Sequence, residues 1–162
     1  MRHQSREYLA EFLKDKSFKK VLEVGSLDVN GIVKDLFVNG EEYTGSDMRP
    51  GGNVDVVVNG HELDTRFDPE SFDLVICFDT LEHDDAFWLT VEQMRKVLKP
   101  GGWLMIGVPS RYCPEHDHPH DYWRFMPQMM KDVFLKDYLL IETKVDKNGE
   151  FEDEVYGWGQ KP

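Results

Sequence analysis

The chain has 162 residues, enough to bury one sizeable core, and is expected to form one domain. It carries 19 basic against 31 acidic residues, a net charge of −12, which argues against a nucleic-acid backbone or an anionic membrane as its main partner. It has no apolar run near the roughly 20 residues of a membrane span and no secretory-type apolar segment behind the N-terminus. Its two cysteines, Cys77 and Cys113, suggest neither a metal pair nor a disulfide framework, so a reduced, cytoplasmic setting is expected.

The first segment, from about Ser5 to Lys16, places Tyr8, Leu9, Phe12 and Leu13 on one helical face. It reads as an amphipathic helix covering a sheet, or as a lid with Tyr8 as its aromatic contact. Val21, Leu22 and Val24 form a short buried strand that holds an acid, Glu23, and stops at Gly25. A strand that ends on glycine and feeds a helix makes a cradle: the missing Cβ lets a ligand approach the backbone, and the helix start offers N–H groups. Ile32 to Val38 gives a short helix, ended by Asn39-Gly40. Tyr43-Thr44-Gly45-Ser46-Asp47 is a second strand ending in an acid 22 positions after Gly25, where it can accept hydrogen bonds from a ribose diol.

After the turn Arg49-Pro50-Gly51-Gly52, Val54 to Val58 reads as a third strand running into Asn59-Gly60-His61. Phe72 to Phe78 is a fourth, nearly continuous in apolar residues, as in a parallel sheet buried on both faces. A helix from Asp84-Asp85 to about Leu98 buries Phe87, Val91, Met94 and Leu98, and Pro100-Gly101-Gly102 stops it. Glu82, Asp84 and Asp85 read as an acidic first turn, and Cys77 as core. Trp103 to Val108 is the fifth strand. The order β-α-β-β-α-β points to an α/β fold with parallel crossovers.

Arg111 to Phe125 is a loop crowded with His, Asp, Tyr and Trp, and a loop of about 15 residues without its own periodicity is usually functional or disordered. The run Glu115-His116-Asp117-His118-Pro119-His120-Asp121 is rich in imidazoles and carboxylates, but its spacing matches no strong metal motif, so no metal is expected. The reading taken is that His120, Asp121, Tyr122 and Arg124 line an acceptor pocket. A helix then runs from Pro127 to about Lys136, Leu139 to Val145 forms a sixth strand, 146–150 a turn, and Val155 to Trp158 a seventh strand set antiparallel by that hairpin.

Taken in order, Leu22-Glu23-Val24-Gly25-Ser26 with Asp28-Val29-Asn30-Gly31, Tyr43 to Pro50, Asn59 to Leu63, Phe72 to Val75, Leu81-Glu82-His83, Val97 to Gly102 and Pro119 to Phe125 resemble the class I S-adenosylmethionine-dependent methyltransferases, small methyltransferase-domain (type 11-like) proteins. The likeness spans about Lys20 to Trp158. It implies a Rossmann-like three-layer sandwich with helices on both faces of a seven-stranded, mostly parallel sheet, order 3-2-1-4-5-7-6, the last strand antiparallel. It implies one domain: an N-terminal helix (1–19), a cofactor-binding core (20–110), a substrate or lid loop (111–126), and a helix with a terminal hairpin (127–162).

On this resemblance Gly25 and Ser26 lie under the methionine part of S-adenosylmethionine, Glu23 helps hold its amino group, and Asp47 takes the ribose hydroxyls with Met48 beside the adenine. Asn59, Gly60 and His61 flank the adenine, and Phe78 and Asp79 face the methionine end. Two features depart from the family. Ser26 and Leu27 stand where a second glycine is usual, and Asn59 replaces an acid, although a carboxamide can both donate to and accept from an adenine edge. Methyl transfer from a sulfonium is an in-line displacement in which positioning and desolvation do much of the work. An alcohol or phenol acceptor also needs its proton taken, for which His83, His120 or Asp121 could serve; His83 could equally be a backbone-bonded histidine at a helix start. The expected function is methyl transfer to an oxygen or nitrogen of a small molecule, a sugar or other metabolite, giving S-adenosylhomocysteine. A non-catalytic module binding these compounds and acting through a partner is the alternative. A nicotinamide-dependent dehydrogenase is disfavoured by the lack of G-x-G-x-x-G.

Overall fold

The computed structural model describes residues 3–29, 31–39, 41–116, 119–148 and 152–162. Asn30, Gly40, Asp117, His118, Gly149 and Glu150, read above as parts of loops, lie outside the described residues. Seven strands form one sheet: β1 (Lys20–Val24), β2 (Glu42–Asp47), β3 (Val56–Val57), β4 (Phe72–Phe78), β5 (Leu98–Pro109), β6 (Leu139–Asn148) and β7 (Glu152–Gln160). Their order is β3-β2-β1-β4-β5-β7-β6, and β7 runs antiparallel to both neighbours while the other pairs are parallel. This is the expected Rossmann-like topology.

Side chains alternate across β1, so the two faces of the sheet carry separate cores. Leu22 and Val24 pack with α2 (Phe87–Val97), which contributes Phe87, Val91, Met94 and Val97, and with Met130 and Phe134 from the π-helical turn that extends α3 (Pro127–Met129). Val21 faces the other way, towards α1 (His3–Leu13), whose Tyr8, Leu9 and Phe12 are buried against Tyr156 and Trp158. Each such side chain contributes about 2 kcal/mol on burial, so one short helix suffices to close that face. The Tyr8 ring centroid lies 4.6 Å from those of both Tyr156 and Trp158. Tyr8 is therefore a core residue, and the lid alternative for α1 is set aside.

Several elements are shorter than their sequence patterns suggest. The expected helix at 32–38 is one 3-10 turn, Lys34–Leu36. Arg6 holds its flank by donating to the Ile32 carbonyl and the Asp35 carboxylate. The third strand keeps two residues because it is an edge that pairs only with Ser46 and Asp47. A 3-10 segment, Gly60–Thr65, was not foreseen. The long helix starts at Phe87, after a separate 3-10 turn Leu81–His83, and ends at Val97; Leu98 already belongs to β5, which runs through Pro100-Gly101-Gly102. Residues 146–148, expected in a turn, extend β6. No helix among the described residues is long and apolar enough to cross a membrane.

Candidate functional site

The chain runs from β1 outward to β2 and β3, then returns to lay β4 on the other side of β1. That reversal makes the carboxyl ends of β1 and β4 a topological switch point, where open α/β sheets bind their ligands. Gly25 ends β1 there with φ +81°, a left-handed conformation that glycine adopts without cost. Its N–H and that of Ser26 both donate to the Ser46 carbonyl, which folds the loop over the end of β2. A Cβ on Gly25 would lie 2.0 Å from the Thr80 hydroxyl oxygen, so the exits of β1 and β4 touch across the switch point. Asp79, between Phe78 and Thr80, is left-handed itself at φ +46°, and such backbone strain collects at functional sites.

Glu23 is almost fully buried beneath this loop. Its carboxylate accepts from the Tyr43 hydroxyl and, at 3.0 Å, from the Asn53 amide. Burial pushes its pKa up to about 7, against the opposing pull of the Asn53 hydrogen bond. Asn53 also donates to the Ser26 carbonyl, and the buried Ser26 hydroxyl donates to the Asn53 carbonyl at 2.9 Å. Asn53 is thus the strut of the first loop. It went unnoticed in the sequence, where only its place after Gly51-Gly52 and its tolerance of positive φ, here +65°, hinted at it.

Asp47 at the end of β2 accepts from the Leu27 N–H at 3.3 Å and the Arg49 N–H at 2.9 Å, so it ties the two loops that a ribose would bridge. Met48 beside it is 65% exposed. The Asn59 side chain accepts from the His61 N–H at 2.9 Å and caps the 3-10 segment. Gly60 is required by packing, since a Cβ there would meet the Thr90 hydroxyl at 2.5 Å. The His61 ring turns to Asp84 at 2.8 Å, and Asp84 also accepts from the Ala86 N–H and the Thr90 hydroxyl. His61 and Gly60 therefore fasten this turn to α2. Phe78 is buried in the core against Tyr156, so only its backbone reaches the site.

The described residues of the loop 111–126 are organised by one guanidinium. All five N–H donors of an arginine find acceptors at Arg124: Nε reaches the Cys113 carbonyl, and the two terminal nitrogens reach both Asp121 oxygens at 2.6 Å and the Pro114 and Trp123 carbonyls at 2.7 Å. The Asp121 side chain, 1% exposed, also accepts from the His116 N–H at 2.7 Å. The Arg124 hydrogen bonds hold the Asp121 carboxyl down at about 2. A carboxylate so held is a poor base, and the Arg124 guanidinium has no donor left for a ligand. Both residues, expected in the acceptor pocket, act here as the internal staple of the loop.

The stapled loop is clasped to the exit of β4. The Tyr122 N–H donates to the Glu82 carbonyl and the Trp123 indole to the Asp84 carbonyl, each at 2.8 Å, and His83 Nδ1 lies 2.5 Å from the His120 carbonyl. His83 is thus the backbone-bonded histidine considered above. Glu82, taken as part of an acidic helix start, is wholly buried. The sequence gives no local sign of this, because its cover comes from a loop more than 30 residues away. Tyr122 is about half exposed, and the His120 ring stands 5.8 Å from it. Two open grooves, of about 230 and 390 Å³, lie at the opposite, amino-terminal edge of the strands, beside Lys20 and Phe72 and beside Lys99 and Trp103. They are remote from the switch point.

Comparison with known proteins agrees with this fold. No curated protein matches the sequence. Among solved structures, the chain is similar to the 1,6-didemethyltoxoflavin-N1-methyltransferase of Burkholderia thailandensis, solved with 1,6-didemethyltoxoflavin and S-adenosylhomocysteine (18% identity, TM-score 0.74, 99% of this chain and 78% of that one). It is similar to phosphoethanolamine N-methyltransferase 2 of Haemonchus contortus, solved with phosphomonomethylethanolamine and S-adenosylhomocysteine (14% identity, TM-score 0.72), and covers about half of it: 99% of this chain and 53% of that one. It also resembles an S-adenosylmethionine-dependent methyltransferase of Archaeoglobus fulgidus (13% identity, TM-score 0.69, 96% and 94% covered). At these identities the structures speak for the fold. The family is given by the sequence itself: residues 1–135 match the family described as methyltransferase domain, and the chain belongs to it.

Proposed function

We propose that the protein transfers a methyl group from S-adenosylmethionine to an oxygen or nitrogen of a small molecule, such as a sugar or other metabolite. The observation that carries this reading is the pairing of Gly25, left-handed at the end of β1, with Asp47 at the end of β2, joined through the Leu27 N–H. The three similar structures are of methyltransferases, and two of them are solved with S-adenosylhomocysteine and a small molecule.

S-adenosylmethionine supplies a methyl group on a sulfonium, already bonded to a good leaving group. The chain's task is to bind, orient and exclude water. Gly25 and Ser26 offer the backbone on which the methionine part rests, and Glu23 lies behind them to favour its ammonium. Asp47 accepts from the ribose, with Met48 beside the adenine. Asn59 keeps its amide nitrogen for an adenine edge, while Gly60, His61, Phe78 and Asp79 shape the walls through their backbone. Tyr122 extends from the stapled loop as an acceptor contact.

Among the three side chains expected to take a proton, the structure favours His120. Asp121 is held at too low a pKa, and His83 donates its Nδ1–H to the loop. The His120 ring is exposed and is fastened by no hydrogen bond among the described residues. Calorimetry with S-adenosylmethionine, S-adenosylhomocysteine and NAD tests the cofactor: the first two should bind and NAD should not, and binding of NAD alone rejects the reading. His120→Ala should lower turnover at unchanged cofactor affinity. Unchanged turnover removes His120 as the base while leaving the cofactor assignment standing.

A further inference from the structure

Glu82 is the buried carboxylate that the proposed reaction leaves unused. Its side chain is 0% exposed in the turn after β4, and neither oxygen has a hydrogen-bond partner among the described residues. Burial of an anion in this way costs several kcal/mol unless a cation faces it. Two imidazoles do face it. His116 Nε2 is 3.6 Å and His83 Nε2 3.8 Å from the same carboxylate oxygen, and the two rings meet edge to face at 5.1 Å.

The tautomers follow from the other ring nitrogens. A carbonyl oxygen can only accept, and His83 Nδ1 lies 2.5 Å from the His120 carbonyl while His116 Nδ1 lies 3.1 Å from that of Pro114. Each Nδ1 therefore carries a proton, and each neutral ring presents a lone pair at Nε2. Both Nε2 atoms thus stand near one carboxylate oxygen, and one ligand atom from each of the three residues lies within 4.8 Å of the other two.

We propose that Glu82, His83 and His116 bind a divalent transition-metal ion of the zinc class. Two imidazoles and a carboxylate are a common ligand set for such ions, with a fourth position left to water or a ligand. Metal–ligand bonds of about 2.0–2.1 Å at tetrahedral angles place neighbouring ligand atoms about 3.3 Å apart. The two distances to the carboxylate oxygen, 3.6 and 3.8 Å, lie within a few tenths of an ångström of that spacing, and the third pair lies within 4.8 Å. Orientation of both rings through Nδ1–H bonds to backbone carbonyls is the outer shell that ligating histidines use. The ion ties residue 116 of the long loop to the turn after β4, so it completes the clasp made by Tyr122 and Trp123. It does so whether or not the chain transfers methyl groups. The rival occupant is a proton, giving a His116 imidazolium paired with Glu82; the nearby Glu82 carboxylate does raise the His116 pKa.

The other cluster of the kind, His61 with Asp84 and Asp85, is less suited, because both Asp84 oxygens already accept from Ala86 and Thr90. The test uses the full chain, stripped with a chelator and dialysed against Zn²⁺ alone, with bound metal measured by mass spectrometry and Co²⁺ substitution read by visible absorption. About one equivalent should be retained. Glu82→Gln should weaken uptake at least about tenfold, as should His116→Asn, which removes a half-buried ligand and guards against misfolding of the first variant. His61→Asn should leave uptake unchanged. No retention by folded protein, equal retention by the Glu82 and His116 variants, or loss of uptake in the His61 variant overturns the site.

Discussion

Glu23→Gln should make the ligand-free protein more stable at neutral and alkaline pH, against the usual sense of a substitution in a buried hydrogen-bonded site. Glu23 has an ordinary value of 4.5 and rises to about 7 in the folded chain, chiefly through desolvation. The native state therefore binds this proton more tightly than the unfolded state. The contribution to stability is fully present below the unfolded pKa of about 4.5 and is lost as pH rises through about 7. At 1.36 kcal/mol per unit the loss amounts to roughly 3 kcal/mol by pH 8, a large part of the stability of an ordinary domain. Glutamine keeps the shape and can still accept from Tyr43 and Asn53, but it carries no charge. Urea unfolding of both proteins between pH 4.5 and 8.5 isolates the effect, because every other titrating group is common to the pair. The variant should gain on the parent as pH rises, with most of the gain between pH 5 and 8. A stability difference that is flat across that range refutes the argument.

Three further outcomes follow from the site. If Glu23 meets the ammonium of S-adenosylmethionine, binding near pH 7 should release a fraction of a proton; the calorimetric enthalpy should then differ between phosphate and Tris buffers for the parent and not for Glu23→Gln. Gly25→Ala should destabilise the chain by more than the ~1–2 kcal/mol of left-handed strain alone, because its Cβ meets Thr80. Adding Thr80→Ala removes the contacts with the hydroxyl and the methyl but leaves the Cβ at 2.8 Å, so it should restore part of the steric cost and none of the strain; a double-mutant cycle with no coupling shows that the loops do not touch. Asp121→Asn breaks the paired hydrogen bonds to Arg124 and should cost ~1–3 kcal/mol at pH 7, with proteolytic nicking of the loop 111–126 as the readout. Because its folded pKa is depressed to about 2, the parent's advantage is present above the unfolded value and vanishes as pH falls from about 4 to 2, while an unchanged advantage at pH 2 refutes the assignment.

The strands were the legible part of this sequence. Phe72 to Phe78 is bounded as its apolar run implies, and Gly25 and Asp47 sit at the strand ends where their spacing suggested. Local pattern suffices there because a parallel strand buried on both faces must be apolar along its length. The helices were less legible. Residues 32–38 and 60–65 form only 3-10 turns, too short to show a helical period, and the Pro-Gly-Gly taken as a helix stop lies inside β5. In the site, residue types that looked like ligand contacts proved to be partners of one another: Asp121 with Arg124, His61 with Asp84. Composition shows that a loop is dense in polar groups, and it cannot show which of them neutralise each other. Glu82 is the converse case, an unremarkable acid in the sequence made unusual by a cover that arrives from His116 and Tyr122.

The distribution of buried charge argues that the carboxyl edge of the sheet is where function lies. A chain with 31 acidic residues could keep all of them in water, and burial of a carboxylate costs several kcal/mol unless it is matched. Yet Glu23 and Glu82 are both buried, one ending β1 and the other following β4, on either side of the switch point. Burial raises both pKa values, and neither carboxylate faces an Arg or Lys ion pair among the described residues. A group that only served the fold would be replaced with gain by an apolar residue of similar volume. Two such groups flanking one crevice fit a site that awaits positive charge from outside the chain: the ammonium and sulfonium of a nucleoside cofactor on the β1 side, and a metal ion on the β4 side. The two cations would be held by different strands and by different chemistry, so either can be removed by mutation without touching the other.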